Sequence, residues 1–95
     1  DVSASHGFRS VLENQMEDGV RALILDMTAI AYISSMTIGI LADFHQRLAK
    51  IGGTLILLHC QEKVQDILRM VRLGDRIIPL LDDEVEAMKR ARVEA

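Results

Sequence analysis

Two stretches of this chain, Leu23-Ile-Leu-Asp26 and Thr54-Leu-Ile-Leu-Leu58, are strand-length apolar runs with no alternation of apolar and polar residues. A strand that is apolar at consecutive positions is apolar on both faces, and both must be covered. Between the two runs the period changes. Ile38, Leu41, Phe44 and Leu48 recur every three or four residues, which marks one face of a helix. Apolar strand, amphipathic helix and apolar strand with short connections form the pattern of parallel strands joined by right-handed crossovers.

The flanking segments extend the pattern. Asp1 to Ser5 is small and polar and suits the approach to a helix, which Phe8, Val11, Leu12 and Met16 then mark out and Asp18-Gly19 ends. Ala22 to Leu25 reads as a central parallel strand. In the following helix Asp43, His45, Gln46, Arg47 and Lys50 supply much of the wet side, and Gly52-Gly53 closes it. Val64, Ile67, Leu68 and Val71 predict a third helix ended by Gly74. Ile77 to Leu81 predicts a short strand, with Pro79 pointing to an edge or irregular position. Asp82, Asp83 and Glu84 favour the start of a last helix, with Val85 and Met88 as its modest apolar face. The expected fold is a single α/β domain over residues 1–95, a mainly parallel central sheet with helices on it.

Composition narrows the function. Nearly half of the residues are hydrophobic but only 3% are aromatic, so the core is aliphatic. A net charge of −3 leaves no general nucleic-acid footprint, and no apolar run reaches the length of a membrane span. The lone Cys60 excludes an internal disulfide and suits a reducing cytoplasm; at the end of a buried strand it reads as a small hydrophobe. His6, His45 and His59 fall in different elements with no second ligand at metal-binding spacing. There is no Gly-x-Ser-x-Gly elbow and no phosphate loop ending in Lys-Ser/Thr. The expectation is a non-enzymatic protein without metal or cofactor. Arg47, Lys50, Arg69 and Arg72 read as a solvated face.

The chemistry that remains is at the end of the first strand. Asp26 stands where a two-component receiver domain places its phospho-accepting aspartate. Such a domain needs an acidic pair on an earlier strand, and only a helix pattern precedes Asp26, so a carboxylate capping the next turn is the favoured reading. A short apolar piece, Ile30 to Ile33, then leads to Ser34-Ser35 at the start of the helix. Hydroxyls there face backbone N–H groups without partners and the positive end of the helix dipole. Either serine can be the helix cap, and either can be an acceptor for a regulatory phosphate.

As a unit the chain resembles a STAS domain, the fold of bacterial anti-sigma factor antagonists. The family pattern is an apolar strand ending in Asp, an aromatic-apolar pair, then Asp-Ser-Ser/Thr-Gly-Leu-Gly opening a helix, a Gly-rich turn and a second apolar strand. The matching pieces are Leu23-Ile-Leu-Asp26, Tyr32-Ile33, Ser34-Ser35-Met36-Thr37-Ile38-Gly39, Ile51-Gly-Gly53 and Leu55-Ile-Leu-Leu58, with Leu73-Gly-Asp-Arg-Ile-Ile78 later. The resemblance implies a cytoplasmic switch protein that binds an anti-sigma factor serine kinase when unphosphorylated and so frees a sigma factor. It implies Ser35 as the phosphorylated residue, with Ser34 as second candidate, and a metal-dependent serine phosphatase that reverses the mark. Asp26, Ser34, Ser35, Met36 and Thr37 are the implied partner-binding residues.

The chain departs from the pattern where Ser34 replaces the motif's Asp and Thr37-Ile38 its Gly-Leu. The alternative is therefore a constitutive STAS interaction module, in a signalling scaffold or attached to a transporter, without a phosphoswitch. The family also carries one or two strands ahead of the first helix, ending in a turn to which Asp1 would correspond. Their apparent absence is most simply read as N-terminal truncation. Otherwise a bare sheet edge would invite strand exchange or a homodimer.

Overall fold

A computed structural model describes residues 2–94. The order of elements is α1 (Val2–Glu17), β1 (Ala22–Asp26), α2 (Ser35–Lys50), β2 (Thr54–Leu58), α3 (Glu62–Met70), β3 (Leu80–Leu81) and α4 (Glu84–Glu94). This is the expected alternation. The strands form a parallel sheet in the order β1-β2-β3, with Ala22 opposite Thr54, Asp26 opposite Leu58, and Leu57–Leu58 opposite Leu80–Leu81.

Five consecutive buried residues in β2 are explained by its central place. Leu55 and Leu57 join one apolar cluster with Leu12, Ile40, Leu41, Phe44, Leu48, Val64 and Leu68. Ile56 and Leu58 face the other way, onto Ala87 and Ala91 of α4. Helices α1, α2 and α3 therefore serve one side of the sheet and α4 the other. The turn into β2 requires a bare glycine. A Cβ on Gly53 would stand 2.0 Å from the Arg21 carbonyl oxygen, which accepts the Thr54 N–H at 2.9 Å.

Several local expectations are corrected. Among the described strands β1 is an edge, not the centre, and its burial is correspondingly partial. Its apolar run still faces covered surface on both sides, and only lateral pairing tells a centre from an edge. Helix α1 already begins at Val2, inside the stretch expected to lead up to it; the turn matched to Asp1 lies outside the described residues. Helix α3 ends at Met70, and Arg72, not Gly74, takes the left-handed conformation beyond it, at φ 64°. Gly74 is small for a different reason, since a Cβ there would lie 3.0 Å from Leu80 Cδ1. The strand expected over 77–81 shrinks to Leu80–Leu81, with Ile78 making one isolated bridge to Gly74. It is an edge strand, as Pro79 implied, and the Pro79 carbonyl accepts the Leu57 N–H at 2.9 Å.

Two helix faces also differ from expectation. Part of the wet side of α2 is covered by α1. Arg47 makes a two-pronged pair with Glu13 at 2.6 and 2.9 Å, Arg9 meets Asp43 at 3.0 Å, and the Arg47 guanidinium lies 4.5 Å from the centre of the Phe44 ring. The Arg47 hydrogen bonds hold the Glu13 carboxyl below its ordinary range. Half-exposed pairs of this kind contribute little, so the contact rests mainly on the apolar cluster that Leu12 shares with Phe44 and against which Phe8 and Met16 pack. In α4 the buried face is Ala87 and Ala91, while Val85 lies on roughly the opposite side and Met88 on the flank, both exposed. Small side chains let α4 approach the sheet closely; the larger ones do not fit there.

Candidate functional site

Parallel strands send each following helix back from one edge of the sheet, so α2, α3 and α4 all start at the carboxyl edge. Asp26 is the last residue of β1 at that edge. Its Oδ1 accepts the Thr28 N–H at 3.0 Å and the Thr28 hydroxyl at 2.5 Å, closing the turn after the strand. The Thr28 hydroxyl, then its backbone N–H, hold the Asp26 carboxyl below its usual range, with a smaller contribution from the nearby His59. The carboxylate is thus spent on its own turn and forms no hydrogen bond to either serine. The capping reading of Asp26 is the one the geometry supports.

The loop from Met27 to Ser34 is pinned along its length. Met27 and Ile33 are buried, the Met27 N–H donates to the Leu58 carbonyl at 2.8 Å, and Gln61 Nε2 donates to the Thr28 carbonyl at 2.9 Å. Between the two buried anchors the chain is pushed outward. Ile30 is exposed and Tyr32 is 77% exposed, although the run had read as a single apolar piece.

At the helix start the two serines separate. Ser34 has an extended backbone, with φ −85° and ψ 163°, and its Oγ accepts the Thr37 N–H at 3.1 Å. Its hydroxyl also donates to Thr37 Oγ1 at 3.2 Å. Ser34 is the helix cap. Ser35 is the first helical residue, it is exposed, and its hydroxyl has no hydrogen-bond partner among the described residues. Met36 beside it is 44% exposed, and Ile38 packs inward against the core. Gly39 lies one turn beyond Ser35 on the same helix face, with open space where a Cβ would be.

Of the residues expected to form the site, the structure brings Ser34, Ser35, Met36 and Thr37 into one helical turn. Thr37 is turned toward Ser34, and Asp26 is occupied with Thr28. Ile30 and Tyr32 join the exposed surface and were not expected there. The only signal for them was a tyrosine in a short apolar run just before a helix. Among the described residues no three His, Cys, Asp or Glu side chains gather as a metal site, and no helix is long and apolar enough to cross a membrane. Cys60 is buried, and burial, with Asp82 nearby, pushes its thiol up to about 11.

Comparison with known proteins identifies the family and the fold. A sequence profile of the STAS domain matches residues 1–87. The chain is 26% identical over 93 residues to a Thermotoga maritima protein named a candidate anti-sigma factor antagonist, across 97% of this chain and 81% of that protein. A Thermotoga neapolitana protein with a similar name is 23% identical over the same length. A crystal structure of a Thermotoga maritima protein described in the same words superposes with a TM-score of 0.87, covering 96% of this chain and 78% of the other at 26% identity. A solution NMR structure of that protein gives 0.84.

Proposed function

The chain belongs to the STAS domain family, and we propose that it acts as an anti-sigma factor antagonist whose binding is gated by phosphorylation of Ser35. The observation that carries this reading is the division of labour within the serine pair. Ser34 supplies the cap, so the helix does not need Ser35, and the Ser35 hydroxyl stands free and exposed, with Ile30, Tyr32 and Met36 exposed within five residues of it in the chain.

Each part has a physical role. Exposed Tyr32, Ile30 and Met36 suit a protein interface, where a few aromatic and apolar anchors carry most of the binding energy. Gly39 keeps the surface low beside the hydroxyl, so a kinase active site can approach it. A phosphate on Ser35 adds about 1.5 to 2 negative charges and sits where the helix dipole tolerates it. The fold would persist, while an interface packed around a neutral hydroxyl would not. The partner is then an anti-sigma factor serine kinase, a serine phosphatase resets the switch, and the site is the cytoplasmic surface around residues 30–39.

The test is phosphopeptide mass spectrometry on the protein from its own cells, followed by binding assays with the cognate kinase. The segment Ala22–Arg47, bounded by tryptic sites, carries both serines. Phosphate on Ser35, lost in Ser35→Ala and retained in Ser34→Ala, is expected. Phosphorylation should weaken kinase binding at least about 100-fold, or about 2.7 kcal/mol. A fully covered segment that never carries phosphate, in a protein that still binds its partner, would leave a constitutive interaction module and refute the switch.

A further inference from the structure

The loop that follows α3 gathers positive charge in an otherwise acidic chain. Three of the eight arginines, Arg69, Arg72 and Arg76, fall within eight residues of one another and surround an open depression of about 660 Å³, lined also by Gly74, Asp75 and Ile77. Asp75 is the one carboxylate of that lining, and it pairs with Arg69 at 2.6 Å. Arg72 and Arg76 have no ion-pair partner among the described residues, and all three arginines are exposed. The lining therefore keeps an excess of positive charge that no carboxylate in it balances.

The turn itself does not account for these side chains. At the end of α3 the Ile67 carbonyl accepts the Val71 N–H at 3.1 Å, and the Arg69 carbonyl accepts the Arg72 N–H at 3.0 Å. The Leu68 carbonyl takes the N–H groups of Leu73 and Gly74 at 2.9 and 3.0 Å. Backbone donors thus satisfy these carbonyls, and no arginine side chain is needed to cap them. Arg72 and Asp75 both hold a positive φ, 64° and 65°, where glycine is favoured and a side chain costs energy. Across Asp75 the Arg76 N–H reaches the Gly74 carbonyl at 2.8 Å, which makes a γ-turn of the rarer hand. The Ile78 N–H closes the loop onto the Leu73 carbonyl at 2.8 Å, and a Cβ on Gly74 would lie 3.2 Å from Arg69 Cγ. Charged side chains are therefore kept at positions that glycine would fill at lower cost, on a backbone ordered before any ligand arrives.

We propose that this depression binds a phosphate group, free or as the monoester of a small molecule, with Arg72 and Arg76 gripping its oxygens and Arg69 adding a third positive charge. Every cation in the lining is an arginine, whose paired N–H donors match two oxygens of a phosphate at once. The volume is that of a small-molecule site, and the exposed Ile77 offers apolar contact to the remainder of a monoester. Among the described residues no aromatic side chain lines the depression, so nothing there stacks a nucleobase. The site lies where α3 ends and the chain returns toward β3, at the opposite edge of the sheet from the serine turn. The proposal is therefore independent of the phosphoswitch.

Titration of the whole 15N-labelled chain with inorganic phosphate and with butyl phosphate, each against sodium chloride of equal ionic strength, tests it. Both phosphates are expected to shift the amides of residues 69–77 saturably at up to about 10 mM. Tighter binding of butyl phosphate would assign the monoester and equal binding the free ion, and each supports a phosphate site. R72Q/R76Q should weaken binding at least about tenfold. Arg72→Gly should weaken it as well while leaving the melting temperature unchanged or higher, since glycine suits a φ of 64°, which separates the site from the fold. The proposal is overturned if neither phosphate moves these amides beyond the chloride control, or if R72Q/R76Q binds as tightly as the parent. It is equally overturned if a short nucleic-acid duplex or an acidic peptide binds there while both phosphates fail.

Discussion

Replacing Ser34 and Ser35 one at a time separates a structural hydroxyl from a free one. In Ser34→Ala the Thr37 N–H loses the Oγ that it reaches at 3.1 Å, and the Thr37 hydroxyl loses its contact at 3.2 Å. Loss of a serine cap costs about 1 kcal/mol, within a range of roughly 0.5–2. The helix concerned buries Ile40, Leu41, Phe44 and Leu48, so its fraying is felt by the whole core. In Ser35→Ala no hydrogen bond is lost, and alanine is the better helix former by up to about 0.5 kcal/mol. The two variants should therefore differ by about 1–2 kcal/mol. For a domain of this size that is a gap of about 4–16 °C in melting temperature. Urea and thermal melts followed by far-UV circular dichroism resolve such a gap. Ser34→Asp should hold or raise stability, because aspartate caps as well as serine and adds charge complementary to the dipole. Equal losses in the two alanine variants, or a larger loss at Ser35, would refute the assignment of the cap to Ser34.

Glycine substitutions should act in opposite directions. Gly53→Ala drives a methyl into the Arg21 carbonyl and should cost at least about 3 kcal/mol in urea unfolding, whereas Gly39→Ala meets open space within α2 and should gain about 0.5–1 kcal/mol. A larger side chain at position 39 should keep the fold but weaken partner binding in a pull-down with the kinase. Phe44→Ala should cost about 3–5 kcal/mol and, since Phe44 joins α1 to α2, should raise amide exchange in α1 more than in β2. The Cys60 thiol titrates near 11 in the folded chain and near 9 when unfolded, so the unfolded chain loses its proton first as pH rises. Stability should then fall between pH 9 and 11 by up to about 2–3 kcal/mol, a slope that Cys60→Ala removes, and thiol reagents should modify Cys60 only on unfolding.

Periodicity was sufficient for what is local. The alternation of helix and strand, the buried stripe Leu41, Phe44 and Leu48 in α2, and Gly19 in the left-handed conformation at the end of α1 are all legible in the order of residues. Each depends on neighbours within about one turn, and local chemistry determines it. The serine pair was legible as a place but not as two roles. Which hydroxyl faces the Thr37 N–H depends on where the helix starts to within one residue, and here the helix starts directly after Ser34, which follows the buried Ile33.

The remainder was decided by contacts between distant parts of the chain. An apolar run cannot say whether it will be flanked on two sides or one, and among the described strands β1 lies at an edge and β2 at the centre. Charges on a helix cannot say whether they meet water or another helix, and Arg47 met Glu13 of α1, 34 residues away. Hydrophobicity ranks Val85 and Met88 above Ala87 and Ala91, yet the alanines lie against the sheet because only they allow α4 close to Ile56 and Leu58. A residue pattern specifies which side chains share a face. Close packing specifies which face is buried, and it left the apolar side chains of Tyr32 and Ile30 in solvent in the loop ahead of Ser35.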